Sequence, residues 1–179
     1  MDEATGEIGK GFSVDVCQKW EKTLDEAETP ETRKVALRSA MVMGPGEGGA
    51  FYAFYDLARK GLGGAMGGGD QFVSWIHHLD FCRSIEWLVS HELSGVVNLA
   101  SPNPLPNRDF MAEIRKALGV KFGLPSTKWM LEIGAFFLQT ETELPLKSRR
   151  VIPGRLIEHG FEFKFTTWPE ACRDIISEM

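Results

Sequence analysis

Polar, glycine-punctuated residues open the chain, and then Phe12, Val16, Trp20 and Leu24 recur at helical spacing with Cys17 beside them, which predicts an amphipathic helix ended by Pro30. Arg33 to Met43 is β-prone and runs into the turn Gly44-Pro45-Gly46. It predicts a strand, buried on both faces near its end. Gly48-Gly49 opens a second helical pattern, Phe51, Phe54, Tyr55 and Ala58, closed by Gly61. A glycine linker from Gly61 to Gly69 leads to a short strand, Gln71 to His77, and a helix started by Asp80 with Phe81, Ile85, Leu88 and Val89 on one face.

Val96 to Leu99 supplies another strand, and Asn107 caps a helix reaching Leu118-Gly119. Three prolines between Ser101 and Pro106 exclude regular structure there, because each fixes φ and lacks a donor. Ser126 to about Gln139 reads as a helix whose apolar residues Trp129, Met130, Ile133, Phe136 and Phe137 serve as core or subunit contact. Pro153 to Gly160 is a short helix, Phe161 to Phe165 alternates as a strand, and Thr167-x-x-Glu170 is a capping box for the last helix. Strand and helix alternate along most of the chain, which predicts an α/β architecture with right-handed crossovers.

The 179 residues, 43% hydrophobic and 25% charged, suffice for one ordinary core. Lys and Arg number 20 against 25 Asp and Glu, so no basic footprint for a nucleic-acid partner exists. Cys17, Cys82 and Cys172 stand apart, outside any CxxC spacing, as packed thiols of a reducing compartment do. No apolar run reaches the ~20 residues of a membrane span, and no signal-peptide pattern is present. A cytoplasmic protein is expected.

Gly44-Pro-Gly-Glu-Gly48-Gly49 matches G-x-G-x-x-G between a strand and a helix. Arg38 interrupts the preceding strand, and Asp70, at the spacing of the ribose-binding acid, lies inside the glycine linker. These glycines therefore read as turn residues with freedom for positive φ. On a strand, His77 and His78 point to opposite faces and cannot chelate one ion. No metal site is expected, with Asp80 as helix N-cap and one histidine near a cleft. A metal-dependent hydrolase would need His77 or His91 on zinc. Ser13, Ser39, Ser74 and Ser101 lack a nucleophile-elbow context. Arg38, a cation in an apolar strand, must be paired or project into a polar cleft.

Several stretches, in order, carry a resemblance: Phe12-Ser13 with Cys17-Gln-Lys-Trp20-Glu21, Leu37 to Gly44 with Gly48-Gly49, Gly61 to Gly64, Gly67 to Gln71, Ser74-Trp-Ile-His77, Asp80, and Asn98 to Pro102. The tail from Lys121 adds Arg150-Val-Ile-Pro153-x-Arg155-Leu156 and Gly160-Phe161. Together they resemble the epimerase-like branch of the extended short-chain dehydrogenase/reductases, an atypical NAD(P)-dependent epimerase/dehydratase-like group.

That resemblance implies a partial Rossmann-like sheet with a helical C-terminal substrate-binding domain. It divides the chain into a nucleotide-domain remnant (1–70), a mixed segment at the sheet and cleft (71–120) and a helical C-terminal domain (121–179). The chain resembles the last three-fifths of such a protein, without the family's G-x-x-G-x-x-G turn. The superfamily's Tyr and Lys fall at Ser13 and Cys17, so no catalytic pair is expected. Arg38, Met41 and Val42 are the implied neighbours of NADP or NAD, which this chain alone is not expected to bind. Gln71, Trp75 and His77 are the implied substrate-side wall, for a small molecule of which a nucleotide sugar is one candidate. Where the family has Ile-Asp-Asp after Trp-Ile-His, this chain has His78-Leu79-Asp80. The implied function is the substrate-binding part of an epimerase/dehydratase-like oxidoreductase, inactive in isolation. The alternative is a non-catalytic interaction module that completes its sheet by homo-oligomerisation through an unpaired edge.

Overall fold

The computed structural model describes residues 1–125 and 148–179. The helix expected over Ser126 to Gln139, with its Trp129 to Phe137 stripe, lies outside them. Six helices and six short strands occur among the described residues. Helix α1 (Phe12–Glu26) is followed by β1 (Val35–Ser39), β2 (Met41–Met43), α2 (Ala50–Arg59), β3 (Phe72–Val73) and β4 (Trp75–His77). Then come α3 (His78–Ser90), β5 (Gly95–Leu99), β6 (Leu105–Pro106), α4 (Asn107–Ala117), α5 (Gly154–Glu158) and α6 (Trp168–Ser177).

The run expected as one strand from Arg33 to Met43 is split at Ala40. β1 pairs in parallel with β5, Arg38 opposite Asn98, and β2 pairs in parallel with β4, Val42 opposite Ile76. The Ala40 N–H still donates to the Leu99 carbonyl at 2.9 Å, so the neighbour changes without a gap. β3 and β6 pair antiparallel, Phe72 opposite Pro106. The proline segment thus contains a minimal strand, tolerated because an edge position needs no ladder donor from Pro106.

Successive residues of β4 enter different cores. Trp75 packs with Phe51, Phe110 and Trp168, whereas Ile76 packs with Val97, Leu99 and Leu156. Both faces are covered, as in parallel sheets. The Trp168 ring stacks on Phe110 at 4.1 Å, meets Trp75 edge-on at 5.0 Å, and donates its indole N–H to the Phe110 carbonyl.

Local differences from the sequence pattern have physical causes. His77, not Asp80, is the N-cap of α3, its Nδ1 accepting the Leu79 N–H at 3.2 Å. The His77 and His78 rings lie side by side at 4.5 Å, because the strand ends at the first and the helix begins at the second. Asp80 is fully buried, and its two oxygens accept the N–H groups of Lys164 and Phe165 at 2.8 Å each. Those donations replace a ladder, so residues 161–165 form no strand. Asn107 lies inside α4 and accepts the Met66 N–H, with Pro106 as the N-cap. The Thr167 hydroxyl bonds the Glu170 carboxylate rather than a backbone donor, so only the side chains of the capping box meet. No described helix is long and apolar enough to cross a membrane.

Candidate functional site

A cavity of about 750 Å³ lies between α1 and β1, bounded also by Met1, Asp2 and residues 6–9, by Phe72 to Ser74, and by Arg149 and Val151. Helical spacing places Ser13, Cys17, Glu21 and Leu24 on its α1 wall, while Val35 to Met41 supply the opposite one. Ser13 and Cys17 differ by four residues and share a face. A hydroxyl and a thiol there can hydrogen-bond a ligand, but neither is a phenolate or an ammonium.

Arg38 meets the cavity already paired. Its Nε donates to Glu21 Oε1 at 2.6 Å and its Nη2 to Oε2 at 2.7 Å. The fork holds the Glu21 carboxyl below its usual range and raises the guanidinium further. An anion in the cavity would have to compete with this carboxylate for the same two donors.

Alternation along the strand separates the other cofactor candidates. Met41 lines the cavity, whereas Val42 points to the opposite face and packs against the Ile76 cluster. Among the substrate-side candidates, Trp75 and His77 are fully buried, and neither they nor Gln71 line the cavity. The Trp75 indole N–H donates to the Asn103 carbonyl, His77 stacks on Phe165 at 3.9 Å, and the Gln71 amide donates to the Met66 carbonyl. Burial pushes the His77 imidazole down to about 4, aided by the neighbouring His78 and opposed by Asp174 and Asp80. Its Nε2 faces the Asp174 carboxylate at 3.3 Å. Among the described residues no cluster of three or more His, Cys, Asp or Glu is placed to hold a metal ion.

The glycine loop after β2 has a steric explanation. A Cβ on Gly44 would lie 3.2 Å from the His78 Cβ and 3.3 Å from its ring, and Gly48 adopts φ +87°. Ser74 and Arg149 are among the cavity residues that sequence reasoning did not assign to a site. The Ser74 hydroxyl donates to the Arg149 carbonyl and accepts the Val151 N–H, joining positions more than seventy residues apart. No local pattern announces such a contact.

A family model described as a domain of unknown function (DUF1731) matches residues 127–175. An epimerase family protein of Mycobacterium leprae is 33% identical over 166 residues, covering 91% of this chain and 52% of the relative. The human epimerase family protein is 31% identical, covering 93% and 55%. The crystal structure of the human protein with NADPH superposes with a TM-score of 0.89 at 28% identity, over 100% of this chain and 60% of that one. A nucleoside-diphosphate sugar epimerase from Corynebacterium glutamicum shares the fold, with a TM-score of 0.76 at 23% identity over 99% of this chain and 33% of that one. The chain spans about half the length of the curated relatives it matches. With the shared Rossmann-type fold and the match across nearly the whole of its own length, the chain belongs to the atypical, epimerase-like family of extended short-chain dehydrogenase/reductases.

Proposed function

We propose that this chain is the substrate-binding side of a cytoplasmic NAD(P)-dependent epimerase/dehydratase-like oxidoreductase and has no redox activity by itself. The observation that carries this reading is the cavity wall. Ser13 and Cys17, where the resemblance puts the family's Tyr and Lys, both line the cavity with Met41 and Arg38. Proton abstraction from a substrate hydroxyl needs a base of suitable pKa within hydrogen-bond reach, and neither residue type supplies the family's pair. The cavity residues fit the nicotinamide half of NADP better than its phosphates, since Glu21 occupies the Arg38 fork. NADP bound in a fuller assembly would supply hydride transfer, while this chain would shape the substrate side with Ser13, Ser74 and Arg149. A nucleotide sugar is the proposed ligand class.

Calorimetry with NADPH and an NMR titration with UDP-glucose test the reading. NADPH is expected to show no micromolar binding, and UDP-glucose is expected to shift the amides of Ser13, Cys17 and Ser74. Micromolar NADPH affinity, or a silent cavity at millimolar UDP-glucose, overturns it.

A second reading, an interaction module that self-associates, draws on exposed apolar residues, of which Trp20 and Leu37 also line the cavity. Phe12 and Trp20 on α1 are 84% and 70% exposed, and Leu37 on β1 is 42% exposed. β1 is hydrogen-bonded to one strand among the described residues, leaving an edge that another strand can extend.

A further inference from the structure

The charged side chains that line the cavity are Asp2, Glu7, Glu21, Arg38 and Arg149. Its two guanidiniums stand in different states. Arg38 engages Glu21 with both arms of its fork, whereas the Arg149 side chain makes no hydrogen bond or ion pair among the described residues. The Asp2 carboxylate is also engaged, its Oδ1 accepting the N–H groups of Ala4 and Thr5 and the Thr5 hydroxyl.

Arg149 is held in place through its backbone. Its N–H donates to the Phe72 carbonyl at 3.0 Å, and its carbonyl accepts the Ser74 hydroxyl at 2.5 Å. The neighbouring residues add two more bonds: Ser148 Oγ accepts the Phe72 N–H at 3.0 Å, and the Val151 N–H donates to Ser74 Oγ at 2.9 Å. Residues 148–151 are thus laced to β3 and to the residue that follows it. Alternation along this stretch sends Arg149 and Val151 to the cavity and Arg150 elsewhere, its guanidinium lying 4.9 Å from the centre of the Phe72 ring. Of two adjacent arginines, one is therefore selected for the cavity.

A guanidinium donates in a planar fork and accepts nothing, so its natural partner is a pair of anionic oxygens. Arg38 has that partner already, and an anion at its end of the cavity must displace a carboxylate. Arg149 has none to displace, and its fixed backbone lowers the cost of ordering it around a ligand.

We propose that Arg149 is the anion contact of the cavity, so that a diphosphate-bearing ligand lies with its phosphates at the wall formed by Ser74, Arg149 and Val151 rather than at Arg38. This orientation rests on reading the cavity as the substrate side for a nucleotide sugar; the anion site itself does not. Glu21 sets the polarity, because it leaves one of the two guanidiniums free to meet a phosphate.

The probes are UDP-glucose and inorganic pyrophosphate, each titrated into the isotopically labelled full chain and followed by NMR. Both are expected to shift the amides of Ser74, Arg149 and Val151 more than those of Leu37 and Arg38. Arg149→Gln keeps every backbone bond of the segment and is expected to weaken both ligands about tenfold. Arg149→Lys retains the charge without the fork and is expected to recover part of that loss. Arg150→Gln removes an equal charge outside the cavity lining and is expected to leave both affinities unchanged, which a general effect of net charge would not. Equal losses in the Arg149 and Arg150 variants, no loss in either, or parent shifts centred on Leu37 and Arg38 overturn the assignment, and the substrate-side reading survives if UDP-glucose still binds. Pyrophosphate binding that depends on Arg149 in a chain that ignores UDP-glucose overturns the substrate-side reading instead and keeps the anion site. Silence with both probes overturns both.

Discussion

The Arg38 guanidinium in the middle of β1 forks onto the Glu21 carboxylate in α1, with contacts of 2.6 and 2.7 Å. This pair spans the cavity and joins its two walls. It also resolves why a cation stands in a strand: the charge is matched by a helix packed across it rather than by a neighbour in sequence.

Glu21→Gln is therefore expected to destabilise the chain by about 1 kcal/mol, a modest figure because both side chains remain partly exposed. The direction with pH follows from the lowered Glu21 pKa. A carboxyl whose folded pKa lies below its unfolded one contributes fully above the ordinary carboxylate range, and its contribution is lost as pH falls through the folded value. Urea denaturation of parent and variant should show a gap at pH 7 that closes in acid. A gap that persists at low pH contradicts the pairing.

Asp80 is expected to matter more. Its carboxylate is buried and receives the N–H groups of Lys164 and Phe165 and the Arg83 guanidinium. Asp80→Asn puts an amide N–H₂ against a donor that needs an acceptor, and a buried mismatch of this kind costs on the order of 2–4 kcal/mol. Chemical denaturation measures the loss, and amide exchange at Lys164 and Phe165 should rise with it. A variant as stable as the parent would show that these donors find other partners.

Asp80 also marks the limit of what local pattern reveals. Its place before an apolar helical stripe suggested a cap, because a cap needs only its own neighbours. Besides Arg83, its backbone partners lie 84 and 85 positions away, and a lone sequence does not register such distances. The order of strands and helices was legible apart from Phe161 to Phe165, which forms no strand, and the minimal strand at Leu105–Pro106, since burial imposes periods of 2 and 3.6 on the residues themselves. Helix α1 was legible through helical spacing, whereas Ser13, Cys17 and Met41 were implied as site residues only by the family resemblance. Val42 and Met41 could not be separated until the face of β2 was known, and Trp75 and His77 entered the core because β4 is covered on both sides.

His77 should act as an internal reporter of that burial. Its imidazole sits at about 4, below the ordinary value near 6.5. A histidine with a depressed folded pKa leaves the unfolded chain holding more protons, so stability declines as pH falls from about 6.5 toward about 4. The decline attributable to this group is on the order of 2 kcal/mol. His77→Gln retains an acceptor for the Leu79 N–H and a donor toward Asp174 without taking up a proton. Its stability is expected to fall less steeply over that window, and the His77 ring signals in the parent should titrate near pH 4 in NMR. An imidazole titrating at its ordinary value contradicts the assigned burial.

Phe12 separates the two functional readings. At 84% exposure and outside the cavity lining, it contributes little to the fold of a single copy, and Phe12→Lys is expected to change the unfolding free energy by no more than about 0.5 kcal/mol. Interfaces behave differently, because large aromatic anchors carry much of their binding energy and a lysine in their place must be desolvated. If α1 and the free edge of β1 meet a second copy, Phe12→Lys should weaken self-association by more than about tenfold in sedimentation equilibrium. If the cavity is a substrate side, the variant should remain as monomeric as the parent while UDP-glucose still shifts Cys17 and Ser74. The same substitution thus leaves one reading untouched and removes the other, because the exposed ring serves a purpose only where another surface covers it.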